Sequence, residues 1–233
     1  MQPQVQVEQN SQLEFLKVDN QSQTVICLFH GYGASMQDLY GLAQAMPIIE
    51  SVDWVFPNGP LELNMGMGMM SRAWFPIDMQ ALELAMQNGE HRDLSGLYPT
   101  EFEHALAMAK KFIEYLKQKY QNIIIGGFSQ GAMLSTHLSL QNSEDVLALL
   151  CLSGNFIGKE QVLKLTERSY KFPFFQSHGK VDPVLGYANA CELFEALKLG
   201  GHQGEFVGFQ GAHEIPMQVI TKATDFINKL KRR

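Results

Sequence analysis

Ser129 stands in the run Gly126-Gly127-Phe128-Ser129-Gln130-Gly131-Ala132, where Gly127 and Gly131 make a G-x-S-x-G frame. A serine hydroxyl becomes a nucleophile only when a neighbouring base takes its proton and a third group orients that base. The frame supplies the first part, because a tight strand-to-helix turn strains the serine backbone and pushes Oγ out above a sheet. Side chains at 127 or 131 would collide as the helix folds back over the strand. The helix behind the serine aims free backbone N–H groups at negative charge forming there. Two glycines around a serine can also mark nothing more than a tight turn. The flanks decide for the nucleophile: Ile123-Ile124-Ile125 is a buried strand, and Met133 to Leu140 reads as a helix. A phosphate loop is excluded, because Ala132-Met133 stand where Lys and Ser/Thr are needed after Gly126 and Gly131.

The elements that must carry the partners can be read along the chain. Leu13–Val18, Thr24–Phe29, Trp54–Phe56, Val146–Leu152, Phe172–Gln176 and Glu205–Phe209 read as strands. Asp38–Met46, Asp78–Gln87, Thr100–Tyr120, Tyr187–Leu199 and Pro216–Leu230 read as helices. In the third of these, Thr100 and Glu103 form a capping box, and Phe102, Leu106, Ala109, Ile113 and Leu116 mark the apolar stripe. Strand and helix alternate, so the expected class is α/β: a mostly parallel central sheet covered by helices on both faces. One domain over 1–233 is expected, poorly ordered up to about residue 11, with a loop-rich insertion at 60–98 near the site.

Such sheets bind ligands at the carboxyl ends of their strands, and that edge selects the partners. His213 follows the last strand and shares the edge with Ser129. His202 precedes that strand and falls on the opposite edge, as a solvated loop residue. Asp182 follows Phe172–Gln176 on the Ser129 edge, whereas Glu192 and Glu195 lie on a helix and Glu144 and Asp145 precede a strand. His178 precedes Asp182 and shapes its loop by hydrogen bonding. Ser129, Asp182 and His213 therefore come in the order Ser, Asp, His of the elbow architecture. Backbone N–H groups of Gln130 and of Tyr32, in the loop His30-Gly31-Tyr32-Gly33, are the expected oxyanion donors.

Together His30–Gly33, Gly127–Ala132, Leu152-Ser153-Gly154, His178–Val184 and Gly211-Ala212-His213 resemble the phospholipase/carboxylesterase family of α/β-hydrolases, which includes the acyl-protein thioesterases. Arg72-Ala73-Trp74-Phe75 is similar to the family's Trp segment, and the resemblance runs from about Thr24 to the C-terminus. It implies an α/β-hydrolase fold, the triad Ser129, Asp182 and His213, and the donors Tyr32 and Gln130. It implies hydrolysis of carboxylic esters or thioesters through an acyl-enzyme on Ser129. A lysophospholipase or protein deacylase is the nearer alternative, and a non-catalytic ligand-binding α/β-hydrolase the distant one. The expected substrate is a small acyl ester or thioester, with a lysophospholipid or an acylated protein as the larger forms. Met65, Met67, Met69 and Met70, interleaved with Gly66 and Gly68, cannot make a stable helix. With Trp74 they are the expected substrate-binding residues, forming a flap over an acyl pocket or else a loop packed on the core.

Composition bounds the rest. The net charge of −6 argues against a nucleic-acid partner, and the basic Lys229–Arg233 tail complements a helix end. Cys27, Cys151 and Cys191 are too few and scattered for a disulfide framework, and Cys27 and Cys151 fall in strand patterns. His213-Glu214 is not followed by a metal-site spacing, so no metal and no cofactor is expected. The amino-terminal residues carry neither a basic nor an apolar leader, and no run reaches membrane-spanning length. The expectation is a cytoplasmic protein, monomeric or homodimeric, without membrane insertion.

Overall fold

The computed structural model describes residues 4–64 and 70–232. In chain order the elements are strands β1 (Gln4–Val7), β2 (Glu14–Val18) and β3 (Thr24–Phe29), helix α1 (Leu42–Ala45), and strands β4 (Asp53–Pro57), β5 (Leu61–Asn64) and β6 (Met70–Ala73). Helices α2 (Met79–Gln87) and α3 (Thr100–Lys117), strand β7 (Asn122–Phe128), helix α4 (Gln130–Gln141) and strand β8 (Val146–Leu152) follow. The chain closes with α5 (Lys159–Arg168), β9 (Pro173–Gly179), α6 (Tyr187–Leu199), β10 (Gln203–Phe209) and α7 (Met217–Asn228).

One sheet carries eight strands in the order β1-β2-β4-β3-β7-β8-β9-β10. From β4 to β10 every pairing is parallel; β1 and β2 add antiparallel strands at one edge. The central strands are apolar on both faces because both are covered. Val25, Cys27 and Phe29 of β3 and Ile123 and Ile125 of β7 join the core under α3, α4 and α6. Ile26, Leu28 and Ile124, which alternate with them, join the core under α1 and α7. This is the arrangement expected from the alternation of strands and helices.

Several local expectations are corrected. From Gln4 onward the expected poor order gives way to β1, and a turn in which Glu8 accepts from the Asn10 and Ser11 N–H groups. The capping box at α3 does not form: Pro99 is the cap residue, no side chain caps the helix, and the Glu103 N–H bonds the Pro99 carbonyl. The apolar stripe of α3 is buried as expected. Helix α5 was not among the expected elements, although Val162, Leu165 and Thr166 on it follow a helical spacing. Within 60–98 lie a two-stranded antiparallel hairpin, β5–β6, and α2, whose first turn is capped by the Asp78 carboxylate. Among the described residues, no helix is long and apolar enough to cross a membrane.

Candidate active site

Ser129 sits between β7 and α4 with φ 55° and ψ −117°, a left-handed conformation that a non-glycine residue rarely holds. Close approach of α4 to the sheet imposes it. A Cβ on Gly127 would lie 2.6 Å from the Phe29 carbonyl oxygen, and one on Gly131 would lie 2.6 Å from that of His30. The Ser129 N–H donates to the Leu152 carbonyl at 2.9 Å, fixing the turn to the end of β8.

Asp182 and His213 stand on the same edge. His213 Nδ1 lies 2.6 Å from Asp182 Oδ2, so Nδ1–H donates to the carboxylate and Nε2 carries the lone pair. The His213 ring packs on Phe128, the neighbour of Ser129, with centroids 4.8 Å apart. The loops after β9 and β10 are tied together: the Lys180 N–H donates to Phe209 O at 2.8 Å, and the Val181 N–H to Gly211 O at 3.2 Å. Asp182 is buried, yet its Oδ1 accepts from the Val184 and Leu185 N–H groups at 2.8 and 3.0 Å. Burial opposes its ionisation, but hydrogen bonds from His178, His213 and Leu185 prevail and hold the carboxyl well below the usual range. His178 shapes this loop as expected: its Nε2–H donates to Leu185 O at 2.9 Å and lies 3.3 Å from Asp182 Oδ2.

His202 is on the opposite edge but is not a solvated loop residue. It is 3% exposed, within 3.1 Å of Ser169 Oγ, and accepts from the Phe172 N–H. Burial pushes it down to about 4. Two of the four rejected acids are held in ion pairs: Asp145 with Lys117 at 2.6 Å and Glu192 with Lys159 at 2.7 Å.

The loop holding Tyr32 runs beside Ser129; a Cβ on Gly31 would lie 3.5 Å from Ser129 Cβ. Buried His30 anchors it. Its Nε2 accepts from the Gly59 N–H at 2.9 Å, so Nδ1 carries the proton and donates to Gly31 O at 2.7 Å. Burial, aided by nearby Arg72, pushes His30 down to about 4 and keeps it neutral.

The expected substrate-binding set divides. Met65, Met67 and Met69 lie outside the described residues. Met70 is 58% exposed at the start of β6. Trp74 presents no surface to a substrate: it is 1% exposed, packs edge-on against Phe29, and donates its indole N–H to the His30 carbonyl at 2.9 Å. An apolar ring with one polar handle, placed next to a sheet end, is buried when that handle finds a partner.

Two side chains enter the site with contacts that the sequence does not announce. His91 Nε2 lies 2.7 Å from the Asp182 carbonyl oxygen, joining the insertion to the acid's loop. The Gln130 side chain accepts from the Trp74 N–H and donates to the Phe75 carbonyl, both at 2.7 Å. Both contacts join segments far apart in the chain, so neither leaves a local signal.

The chain matches the model of the phospholipase/carboxylesterase family over residues 11–231. It is 32% identical to an acyl-protein thioesterase 1 of Mycosarcoma maydis over 72% of this chain and 73% of that protein. It is 26% identical to one of Candida albicans over 90% and 93%. Among solved structures it is similar to esterase PE8, with a TM-score of 0.72 and 26% identity over 90% of this chain and 94% of the other. A Mesorhizobium loti carboxylesterase, at 15% identity and a TM-score of 0.71 over 97% and 99%, shares the fold alone. The architecture is the α/β-hydrolase fold, and the chain belongs to the phospholipase/carboxylesterase family.

Proposed function

We propose that this protein hydrolyses carboxylic ester or thioester bonds by a serine mechanism, with Ser129 as nucleophile, His213 as base and Asp182 as its orienting carboxylate. One observation carries the assignment of residues. The Asp182–His213 hydrogen bond, at 2.6 Å, stands on the strand edge where Ser129 is held in a positive-φ turn, and the His213 ring packs on Phe128, the residue before Ser129. Ser129 Oγ attacks the acyl carbon while His213 Nε2 takes its proton. The N–H groups of Tyr32 and Gln130 receive the oxyanion. His213 then protonates the departing alcohol or thiol, and the bond to it breaks. Water, deprotonated by the same nitrogen, attacks the acyl-enzyme and frees the acid with Ser129 restored.

The curated relatives are named acyl-protein thioesterases, which supports thioesters, including acylated proteins, beside small esters as substrates. A cytoplasmic setting is proposed with it. A fluorophosphonate probe tests the mechanism: it should label the wild type at Ser129 and leave Ser129→Ala unlabelled. Ser129→Ala should lose about 10⁴- to 10⁶-fold in kcat while remaining folded. A fully active Ser129→Ala would reject this nucleophile. Rates for an acyl-length series, run with both alcohol and thiol leaving groups, would separate esterase from thioesterase preference.

A further inference from the structure

The two backbone segments assigned as oxyanion donors belong to different elements. Tyr32 lies in the loop after β3, and Gln130 opens α4. A third segment, residues 72–75 at the end of the β5–β6 hairpin, bonds to both. On one side, the Gly33 N–H donates to Arg72 O at 2.9 Å, the Arg72 N–H donates to Ala34 O at 2.7 Å, and the Trp74 indole N–H donates to His30 O at 2.9 Å. On the other side, the Gln130 amide oxygen accepts from the Trp74 N–H, and its NH₂ donates to the Phe75 carbonyl. The Gln130 residue is 1% exposed. It meets one strand segment as a peptide group would, through one acceptor and one donor. Gly59 lies under the same segment, where a Cβ would come within 2.5 Å of the Ala73 carbonyl oxygen. The hairpin therefore cannot shift without disturbing both neighbours.

We propose that the Gln130 side chain is a positioning residue that sets the oxyanion hole, by clamping residues 72–75 and through them the loop that bears Tyr32. This rests on the reading of Ser129 as nucleophile. Donors must match the place where the oxyanion forms, so a misplacement of about 1 Å costs on the order of 100-fold in rate. Ground-state binding depends on the acyl surface and is insensitive to such a shift. The side chain of Gln130 thus acts on kcat although it never meets the substrate.

Gln130→Met keeps the volume and removes both hydrogen bonds. Active sites are first counted by fluorophosphonate titration, so that misfolded molecules do not enter the rates. Per titrated site, kcat for a short-chain ester should fall about 30- to 100-fold, with KM changed less than about threefold. The Ki of a trifluoromethyl ketone, whose adduct oxygen occupies the hole, should rise by the same factor as kcat falls. Trp74→Phe removes the indole N–H bond to His30 together with part of a buried ring that packs on Phe29 and His30, so it loosens the loop side of the clamp and should show the same pattern at a smaller size. It carries the test if Gln130→Met does not fold. Unchanged kcat and Ki per site, or a loss confined to the number of titratable sites, would overturn the clamp. So would a rise in KM equal to the loss in kcat/KM. Absence of Ser129 labelling in the wild type would remove the underlying reading instead, and the clamp with it.

Discussion

Asp182 shows how one carboxylate is held for two tasks. Oδ1 accepts from two backbone N–H groups of its own loop, and Oδ2 faces His213. The first pair fixes the rotamer, which aims the second oxygen. An amide at this position would keep the rotamer by placing its oxygen on the Val184 and Leu185 N–H groups. Its NH₂ would then point at His213 Nδ1 and force the proton onto Nε2, the nitrogen that accepts from Ser129 in the proposed mechanism. Asp182→Asn should therefore fold, with a lowered melting temperature because the charge-assisted hydrogen bonds to the buried carboxylate are lost, and lose about 10⁴-fold in kcat. Steady-state rates beside a thermal melt check it. A variant within tenfold of wild type would move the orienting role to another acid.

At the scale of elements, the helix that follows Ser129 sits close enough to the sheet to touch backbone. Gly131 is where contact is tightest, facing the carbonyls of Phe29 and His30 at the end of β3. Gly131→Ala must push α4 off the sheet or bend the oxyanion loop, and should cost about 3 kcal/mol or more. Gly41→Ala makes the contrast: nothing lies within 4 Å of its Cβ position and its φ is −57°. It should be neutral or stabilising by up to about 1 kcal/mol through the unfolded chain. Urea unfolding of the pair measures both, and equal costs would refute the packing argument.

The same elements explain what could be seen in the sequence. Ile123–Ile125 and Val146–Leu152 were legible because burial on both faces writes an unbroken apolar run. Strand β1 was not, since Gln4–Val7 lies on the sheet edge with three of its four residues exposed. Helix α5 does carry a helical spacing in Val162, Leu165 and Thr166, but over a short, mostly polar segment of ten residues. Ser129 could be chosen as a candidate from its G-x-S-x-G frame, and Asp182 and His213 from the order of strands, because carboxyl strand ends share one edge. His91 and the Gln130 side chain could not, as their partners lie 91 and about 55 positions away. His202 misled for a related reason: its burial comes from packing against Phe172, which sequence order does not reveal.

Across the whole molecule, three of the four buried histidines among the described residues, leaving aside His178 beside Asp182, are held as neutral rings in separate places: His30 at the Ser129 edge, His137 on α4 and His202 at the opposite edge. Each is pushed from the ordinary 6.5 to about 4, with burial as the leading cause. His137 is fully buried between Tyr98 and Phe102 and donates its Nε2–H to the Ile157 carbonyl at 2.8 Å. Unfolding releases these rings to water, where they take up protons near pH 6.5. Below that pH the unfolded chain binds more protons than the folded one, so stability rises with pH in this range. Their contribution is complete above about 6.5 and declines as pH falls toward about 4. The upper bound is on the order of 3 kcal/mol per histidine. Asp182 adds nothing to the decline in this window, because its depressed carboxyl contributes fully above the ordinary 3.8 and gives way only in stronger acid. Urea midpoints measured from pH 8 to 4.5 should hold steady at first and then drop steeply below about 6.5. His137→Gln can keep the donor to Ile157 but has no proton to gain, so its midpoint should fall by roughly a third less over the same range. A wild-type midpoint that stays level down to pH 4.5 would mean that these rings already hold their protons in the folded protein, or that water reaches them.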